Sequence, residues 1–537
     1  MPRLVSVIIL VVVSLWSASA APLRNQPRTP PKLVVVVIVD QLRYDYLTRF
    51  RSEYTGGFDR LLKNGAVFTN AYLQHFPTVT AVGHATSLTG ATPSFSGIVG
   101  NDWFDRESGR QVASVSDPKV TVLGGRGAGM SPSRLLVSTV GDELKIAARG
   151  GTPRVIGISF KDRAAILSAG RMADAAYWFD SASGNFASST FYFTDLPEWV
   201  KQFNSKRSVD GFLGAEWKTA AGKVLTKLPA AAGTRYYDAM ERSPFGTRLV
   251  LSFAQRAIEA ETLGSRPSTD LLAVSLSSTD LVGHSFGPDS PEVHDLNVQT
   301  DRLLGQFLQF LDKRLRTGTV LVVLTADHGV APLTEVQAGR RMPGGRLAAS
   351  ALRKAVETAL SGQFGEGKWV LYNSEGSFWL NRAAIQEKKL DAAAVEDCAA
   401  RALAGQPHVS RVYTRTQLLR GQYGDDMVSR RVANSFHPAR SADVTTVLEP
   451  YWIYGAKDAG HGSPYSYDTH LPLIFMGSGI KRGYYDETVA INDLAPTLAA
   501  ILDVSPPTGS TGRVLYEMLE APAAVMPPAR AVAPVKK

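Results

Sequence analysis

LVVVVIVD, residues 33–40, is a run of seven aliphatic side chains closed by an aspartate. An unbroken apolar run of this length reads as a strand buried on both faces, the habit of parallel sheets covered by helices. Three more runs share the pattern, Val155 to Phe160, Leu271 to Leu276 and Val320 to Leu324, and a fifth covers Leu471 to Met476. Helical stretches lie between them, including 247–261 and 291–316. The second of these puts Leu296, Leu303, Leu304, Phe307, Phe310 and Leu311 on one broad face. The alternation predicts a doubly wound α/β fold with a mostly parallel central sheet and helices on both faces. Two stretches fit that core less well, residues 165–245 and 335–445, and are expected as α+β insertions capping the site. No internal repeat is evident.

The chain has 537 residues, 44% of them hydrophobic, enough for a large core. Residues 1–20 carry Arg3, an apolar run from Val5 to Trp16 and Ala18-Ser19-Ala20, the layout of a cleavable secretory signal. Residues 21–537 are then expected as one catalytic domain, exported to the periplasm or beyond. No later segment offers the roughly 18 apolar residues of a membrane span, so no stable membrane anchor is expected. Cleavage removes Arg3 and leaves 57 basic against 49 acidic residues, a net charge of 57 − 49 = +8. That balance favours anionic substrates or anionic surfaces. No dense Lys/Arg block with interleaved aromatics occurs, so no nucleic-acid partner is expected. Cys398 is the single cysteine, which excludes an internal disulfide and a thiolate metal cluster, and its Ala-rich surroundings read as a packed helix. Residues 521–537 form a Pro/Ala-rich tail expected to be disordered, and the protein is expected to be a monomer.

Asp40, Asp280 and Asp327 each fall at or just after the end of an expected strand, the edge where open α/β sheets bind ligands. Short motifs surround them: PTVTAVGH with Thr80, TDLVGH with Asp280 and His284, TADHG with Asp327 and His328, and GHGSPYSYD with His461. Zinc takes His nitrogen and carboxylate oxygen, and catalytic sites keep one position open. His284 follows Asp280 by four positions, so one helical turn or a tight loop aims both at one cation, with His461 completing the set. Asp327 and His328 suit a sharp loop and, with Asp40 and the Thr80 oxygen, form a second set. Two metals about 4 Å apart can hold the attacking and the leaving oxygen of an in-line displacement. A lone His or a single DH pair is usually an ordinary polar contact, and only the joint pattern argues for metal. His75, His84, His294, His408, His437 and His470 are read as such contacts, with His84 and His470 near enough to the motifs to support ligands. Thr80 precedes what looks like the opening of a helix, whose amino end favours negative charge. Thr78 competes for the nucleophile's role.

These motifs resemble the alkaline phosphatase superfamily, and within it the PafA-like, phosphate-irrepressible alkaline phosphatases with a threonine nucleophile. The resemblance runs from VVVVIVDQLRYDYL through GIVGNDWFD, SFKDRAAIL, SSTDLVGHSFGP and LTADHG to HGSPYSYDTHLPLIFMG. It implies two zinc ions, one on Asp280, His284 and His461 and one on Asp40, Thr80, Asp327 and His328. It favours Thr80 over Thr78 as the residue phosphorylated in turnover, and it assigns Asn101, Lys161 and Arg163 to substrate phosphate. A strand from Val155 onward would turn Lys161 and Arg163 to one side and Asp162 to the other. The implied activity is hydrolysis of small phosphate monoesters through a phosphothreonine. A phosphodiesterase or nucleotide pyrophosphatase shares the ligands and the threonine; Lys161 and Arg163 favour a monoester, whose third oxygen needs extra positive charge. MSPSR, residues 130–134, looks like a sulfatase motif but carries Met130 where Cys or Ser is required, and LGGRGAG, residues 123–129, lacks the GK[ST] of a phosphate-binding loop. A secreted, non-catalytic metal-binding protein is the alternative outside enzymes.

Overall fold

Ten strands pair into the central sheet of the computed structural model, which describes residues 30–148, 151–316, 318–455 and 458–520. The expected signal segment 1–20 and tail 521–537 lie outside the described residues. In chain order the strands are β1 (Leu33–Val39), β2 (Ala66–Tyr72), β3 (Val122–Leu123), β4 (Val155–Ser159), β5 (Ala175–Asp180), β6 (Asn185–Ser189), β7 (Asp270–Leu276), β8 (Val320–Thr325), β9 (His470–Met476) and β10 (Gly483–Ala490). Their spatial order is β10-β2-β9-β8-β1-β7-β4-β5-β6-β3. The five neighbours β8, β1, β7, β4 and β5 are parallel, and β9 and β6 run against them on either side. The expected mostly parallel α/β sheet is therefore present.

β1 sits at its centre, with Val36 opposite Ala273 on β7 and Val323 on β8. All seven of its residues are fully buried, each aliphatic side chain contributing about 1.5–3 kcal/mol relative to exposure. Five helices bear on the site: α1 (Thr80–Thr89), α2 (Asp162–Ala169), α3 (Pro244–Ala260), α4 (Ser278–Phe286) and α5 (Pro291–Arg314). α5 starts where expected because the Ser290 hydroxyl accepts the Val293 N–H and Pro291 occupies the first turn. Its apolar face buries Leu296, Leu303, Leu304, Phe307 and Leu311, while Phe310 stays half-buried at the margin. α3 begins three residues earlier than read, since Pro244 follows Ser243 in the extended conformation that opens a helix.

The capping stretches differ in extent from the expectation. Residues 165–169 complete α2, and β5 and β6 are members of the central sheet, so the first insertion starts only after Ser189. β5 reads AAYWFD; its Tyr177, Trp178 and Phe179 are buried in the sheet, but an aromatic strand does not resemble the aliphatic runs that mark the other parallel strands. The second stretch folds as a lobe with a four-stranded sheet of 370–374, 377–380, 444–448 and 409–414, packed on helices Ala349–Phe364 and Ala392–Ala404. Its core includes Leu352, Trp369, Phe378, Cys398 and Val444, so it runs past residue 445. The short strands Gly345–Leu347 and Trp452–Tyr454 pair where the chain enters and leaves it. Cys398 is buried in its helix, as read.

α1 reaches its place only because Gly83 lacks a side chain. A Cβ there would lie 2.1 Å from the Asp327 carbonyl oxygen, and neither segment is free to withdraw. Gly83→Ala is expected to destabilise the protein by about 1–3 kcal/mol, seen as a lowered thermal midpoint of the purified variant. An unchanged midpoint would show that this approach is not a packing constraint.

Candidate active site

The carboxyl ends of β1, β7 and β8 lie side by side, and each is followed closely by an aspartate. Asp40 is the residue after β1, Asp327 comes two residues after β8, and Asp280 occupies the first turn of α4 behind β7. One turn of α4 brings His284 Nε2 within 3.2 Å of Asp280 Oδ1. His461 arrives from the loop that follows the lobe, its Nε2 3.2 Å from His284 Nε2 and 3.8 Å from Asp280 Oδ1. On the other side His328 Nε2 lies 3.5 Å from Asp40 Oδ1, 3.4 Å from Asp327 Oδ2 and 3.4 Å from Thr80 Oγ1. Ligand atoms at about 2.0–2.2 Å from a tetrahedral ion are separated by roughly 3.3–3.6 Å, which is the spacing found in both groups. The groups are contiguous, since ligand atoms of Asp40, Asp280 and His328 also fall within 4.8 Å of one another.

Hydrogen bonding aims these atoms inward. The Nδ1 atoms of His284, His328 and His461 face the carbonyls of Ala459, Gly329 and Thr78 at 2.6, 2.9 and 2.8 Å. Each ring thus donates from Nδ1 and presents the Nε2 lone pair to the centre, the tautomer a metal requires. Asp40 Oδ1 and Asp327 Oδ2 are buried and receive no hydrogen bond. Asp40 Oδ1 faces the His328 Nε2 lone pair rather than a donor, which fits a cation and little else; Asp327 Oδ2 also has His84 Nδ1 at 3.2 Å.

The charge balance agrees. Burial, reinforced by Asp280 and Asp327, pushes the Asp40 carboxyl well above its usual range. Burial opposes ionisation of Asp280 too, but Lys161 and His284 outweigh it and hold the group well below the usual range. Asp327 is likewise lowered against burial, by His328 and His84. His461 is driven well down by burial and by the neighbouring His328 and His284, which keeps its imidazole neutral. Asp280 outweighs burial to raise His284. Three buried carboxylates face one ammonium here, that of Lys161, whose Nζ lies 2.5 Å from Asp40 Oδ2 and 2.6 Å from Asp280 Oδ2.

Thr80 opens α1, almost fully buried, with its Oγ1 3.3 Å from Lys161 Nζ as well as 3.4 Å from His328 Nε2. The Thr78 hydroxyl is committed elsewhere: it donates to the Ser463 carbonyl at 2.9 Å and accepts the Gly462 N–H at 3.1 Å. Asn101 Oδ1 accepts the N–H of Ala81, the residue after Thr80, at 2.9 Å. Lys161 and Arg163 are present but not as alternate residues of a strand. β4 ends at Ser159, Lys161 caps α2 and Arg163 sits in its first turn. The Ser159 hydroxyl takes the Lys161 N–H at 3.2 Å, and Asp162, acidic and in the first turn, favours the helix start. Arg163 is close enough to push against the Lys161 ammonium, and its buried Nε has no hydrogen-bond partner.

Two neighbours brace the ligand candidates, and the motifs point to His84 but not to Gln41. His84 touches the Thr80 carbonyl at 2.9 Å and Asp327 Oδ2 at 3.2 Å through Nδ1, with Ser275 Oγ 2.9 Å from Nε2, so it braces both segments. Gln41 follows Asp40 with a left-handed φ of 65°. Its N–H donates to Asp327 Oδ1 at 3.1 Å and its Nε2 to Asp280 Oδ1 at 2.8 Å, linking the two ligand groups. Nothing in the residue type announces that role. His470 instead stacks between Tyr44 and Tyr72 and donates to the Thr69 carbonyl, an ordinary structural histidine.

Comparison with known proteins bears on this geometry. The family described as type I phosphodiesterase / nucleotide pyrophosphatase matches residues 34–470. A Myroides odoratus protein named calcium-transporting ATPase is 36% identical, over 94% of this chain and 97% of its own length. Alkaline phosphatase PhoV of Synechococcus elongatus is 37% identical, over 91% and 93%. The crystal structure of wild-type alkaline phosphatase PafA is 34% identical, with a TM-score of 0.86, and covers 92% of this chain and 99% of its own. A PafA variant changed at one threonine, one asparagine, one lysine and one arginine aligns over the same shares, at 34% identity, with a TM-score of 0.87. The chain belongs to the type I phosphodiesterase / nucleotide pyrophosphatase family, and within the alkaline phosphatase superfamily it groups with the PafA-like alkaline phosphatases.

Proposed function

We propose that this chain is an exported alkaline phosphatase that hydrolyses small phosphate monoesters with Thr80 as nucleophile. The observation that carries this reading is the Thr80 hydroxyl, in contact with both His328 Nε2 and Lys161 Nζ at the amino end of α1. Asp280, His284 and His461 would hold one zinc ion, and Asp40, Thr80, Asp327 and His328 the other. Bound there, the two ions would lower the pKa of the Thr80 hydroxyl and neutralise charge on the departing oxygen. Thr80 Oγ forms the bond to phosphorus as the bond to the alcohol oxygen breaks, leaving phosphothreonine and the free alcohol. Water then attacks phosphorus opposite Thr80 Oγ, so phosphate leaves with net retention and the hydroxyl is restored. Lys161, Arg163 and the Asn101 amide bind the remaining phosphoryl oxygens, where charge is spread in the transition state. The same four residue types, in the same chain order, are those altered together in the solved PafA variant.

Lys161 and Arg163 also favour the monoesterase over the family's phosphodiesterase reading, because a diester presents one charged oxygen fewer and needs room for a second substituent. The three-ligand group of Asp280, His284 and His461 leaves a coordination position open, which favours catalysis over a purely structural metal site. The transport name belongs to the Myroides odoratus relative. No helix of the described residues is long and apolar enough to cross a membrane, and we carry over no transport activity. Every proposed residue comes from one chain, so a monomer suffices.

Chelation is expected to abolish hydrolysis of 4-nitrophenyl phosphate, and zinc to restore it. A zinc-loaded protein without activity would favour the metal-binding alternative. Thr80→Ala is expected to lower kcat by about 10³-fold or more with zinc content near two per chain, whereas Thr78→Ala costs less than about tenfold; the reverse ranking would identify the other hydroxyl as nucleophile. Replacing Lys161 and Arg163 together by Ala is expected to depress kcat/KM for the monoester at least about tenfold more than for bis(4-nitrophenyl) phosphate. Equal losses would remove the ground for preferring monoesters.

A further inference from the structure

A cavity of about 190 Å³ opens beside Asn101 and His461 and extends toward the lobe. Trp379, Trp452, Tyr454 and Tyr465 give it aromatic walls, and no Lys or Arg lines it, although the chain as a whole is basic. Its acids are Asp102, Glu375 and Asp468. Two of them are committed, Asp102 to the Tyr372 hydroxyl and Asp468 to the Ser463 N–H. The Glu375 carboxylate has no hydrogen-bond or ion-pair partner among the described residues.

Glu375 occupies the tip of the hairpin joining strands 370–374 and 377–380, with a left-handed φ of 49°. The surroundings hold it there. Gly376 lets the tip settle on the lobe, since a Cβ at that position would lie 2.1 Å from Thr446 Oγ1 and 2.3 Å from the Tyr454 hydroxyl. Glu375 Oε2 is 3.4 Å from where a Cβ on Gly462 would sit, one residue from His461. The carboxylate therefore stands beside the segment that carries His461, in the cavity that also reaches Asn101.

We propose that this cavity receives the alcohol portion of the monoester and that Glu375 selects it by charge, favouring alcohols that carry an ammonium group and disfavouring those that carry a carboxylate. This deepens the phosphomonoesterase reading and rests on it. An aromatic wall beside an unpaired carboxylate suits an organic cation, and a second anion placed there meets repulsion that no neighbouring base offsets. Glu375 keeps an exposed surface, and its carboxylate is ionised at alkaline pH. The overall positive charge acts in the opposite sense, attracting anionic esters from a distance. A preference for cationic alcohols would therefore have to arise locally.

The test compares kcat/KM at pH 9 for phosphocholine, phenyl phosphate and 4-carboxyphenyl phosphate in the zinc-loaded protein and its Glu375→Gln and Glu375→Lys variants. Each charged ester is expressed relative to phenyl phosphate, which cancels intrinsic reactivity between variants. With Gln, the phosphocholine ratio is expected to fall and the carboxyphenyl ratio to rise, each roughly three- to tenfold, the effect of one charge pair in a water-filled cleft. Lys should extend both shifts in the same directions. Ratios that stay constant while all three substrates change together, or that do not change at all, would overturn the assignment to Glu375. Failure of the unmodified protein to hydrolyse phenyl phosphate would instead overturn the monoesterase reading, and the proposal with it.

Discussion

Three carboxylates that repel one another are held together in the protein interior, and much of the architecture serves to keep them there. Asp40, Asp280 and Asp327 expose at most 3% of their surface, and an unpaired buried charge costs several kcal/mol. Lys161 offsets part of that cost through Asp40 and Asp280, and the imidazoles turn acceptors, not donors, toward the centre. The arrangement persists because the aspartates hang from β1, β7 and β8, adjacent parallel strands in fixed register. A looser frame would let the carboxylates separate, and the group would lose its ability to take cations.

Completion of the site depends on a segment that the lobe delivers late in the chain. His461 lies beyond the lobe's exit strand, yet its ring is oriented by the carbonyl of Thr78, two residues before Thr80. The same segment is tied to α4 twice, by the Ala459 N–H to the His284 carbonyl and by His284 Nδ1 to the Ala459 carbonyl. The lobe is fastened to the body as well, since Asp443, which also holds Arg382 within the lobe, receives Arg106 of the body. The insertion between β8 and β9 thus positions a metal-ligand candidate while it shapes the cavity beyond.

What could be read from the sequence follows from where the chain is symmetric in its surroundings. β1, β7 and β8 are covered on both faces, so they appear as unbroken aliphatic runs, and the aspartates that end them stand out. β5 and β6 lie nearer the side of the sheet where pairing turns antiparallel, and β5 is aromatic; neither resembles its neighbours closely enough to be separated from the stretch after it. Lys161 and Arg163 were recognisable by type, but SFKDR reads as a continuing strand. Only the Ser159 hydroxyl and the Asp162 side chain show why the chain turns into a helix there. Gln41 carries no sequence signal at all, because its value lies in a left-handed backbone and in the space Gly283 leaves for it: a Cβ on Gly283 would lie 1.8 Å from Gln41 Oε1.

The start of α1 is used in an indirect way that bears on how phosphate is met. An exposed helix amino end commonly binds an anion through its free N–H groups. Here the Ala81 N–H is given to Asn101 Oδ1, so the helix dipole acts on a side-chain amide, which under the proposed mechanism would carry it to phosphate. Accepting that bond polarises the amide and strengthens Nδ2 as a donor. It also fixes Asn101 to the helix that carries Thr80, and Gly83 fixes that helix against the Asp327 backbone. Thr80, Asn101 and the Asp327 segment therefore form one rigid unit, and none can shift without carrying the others with it.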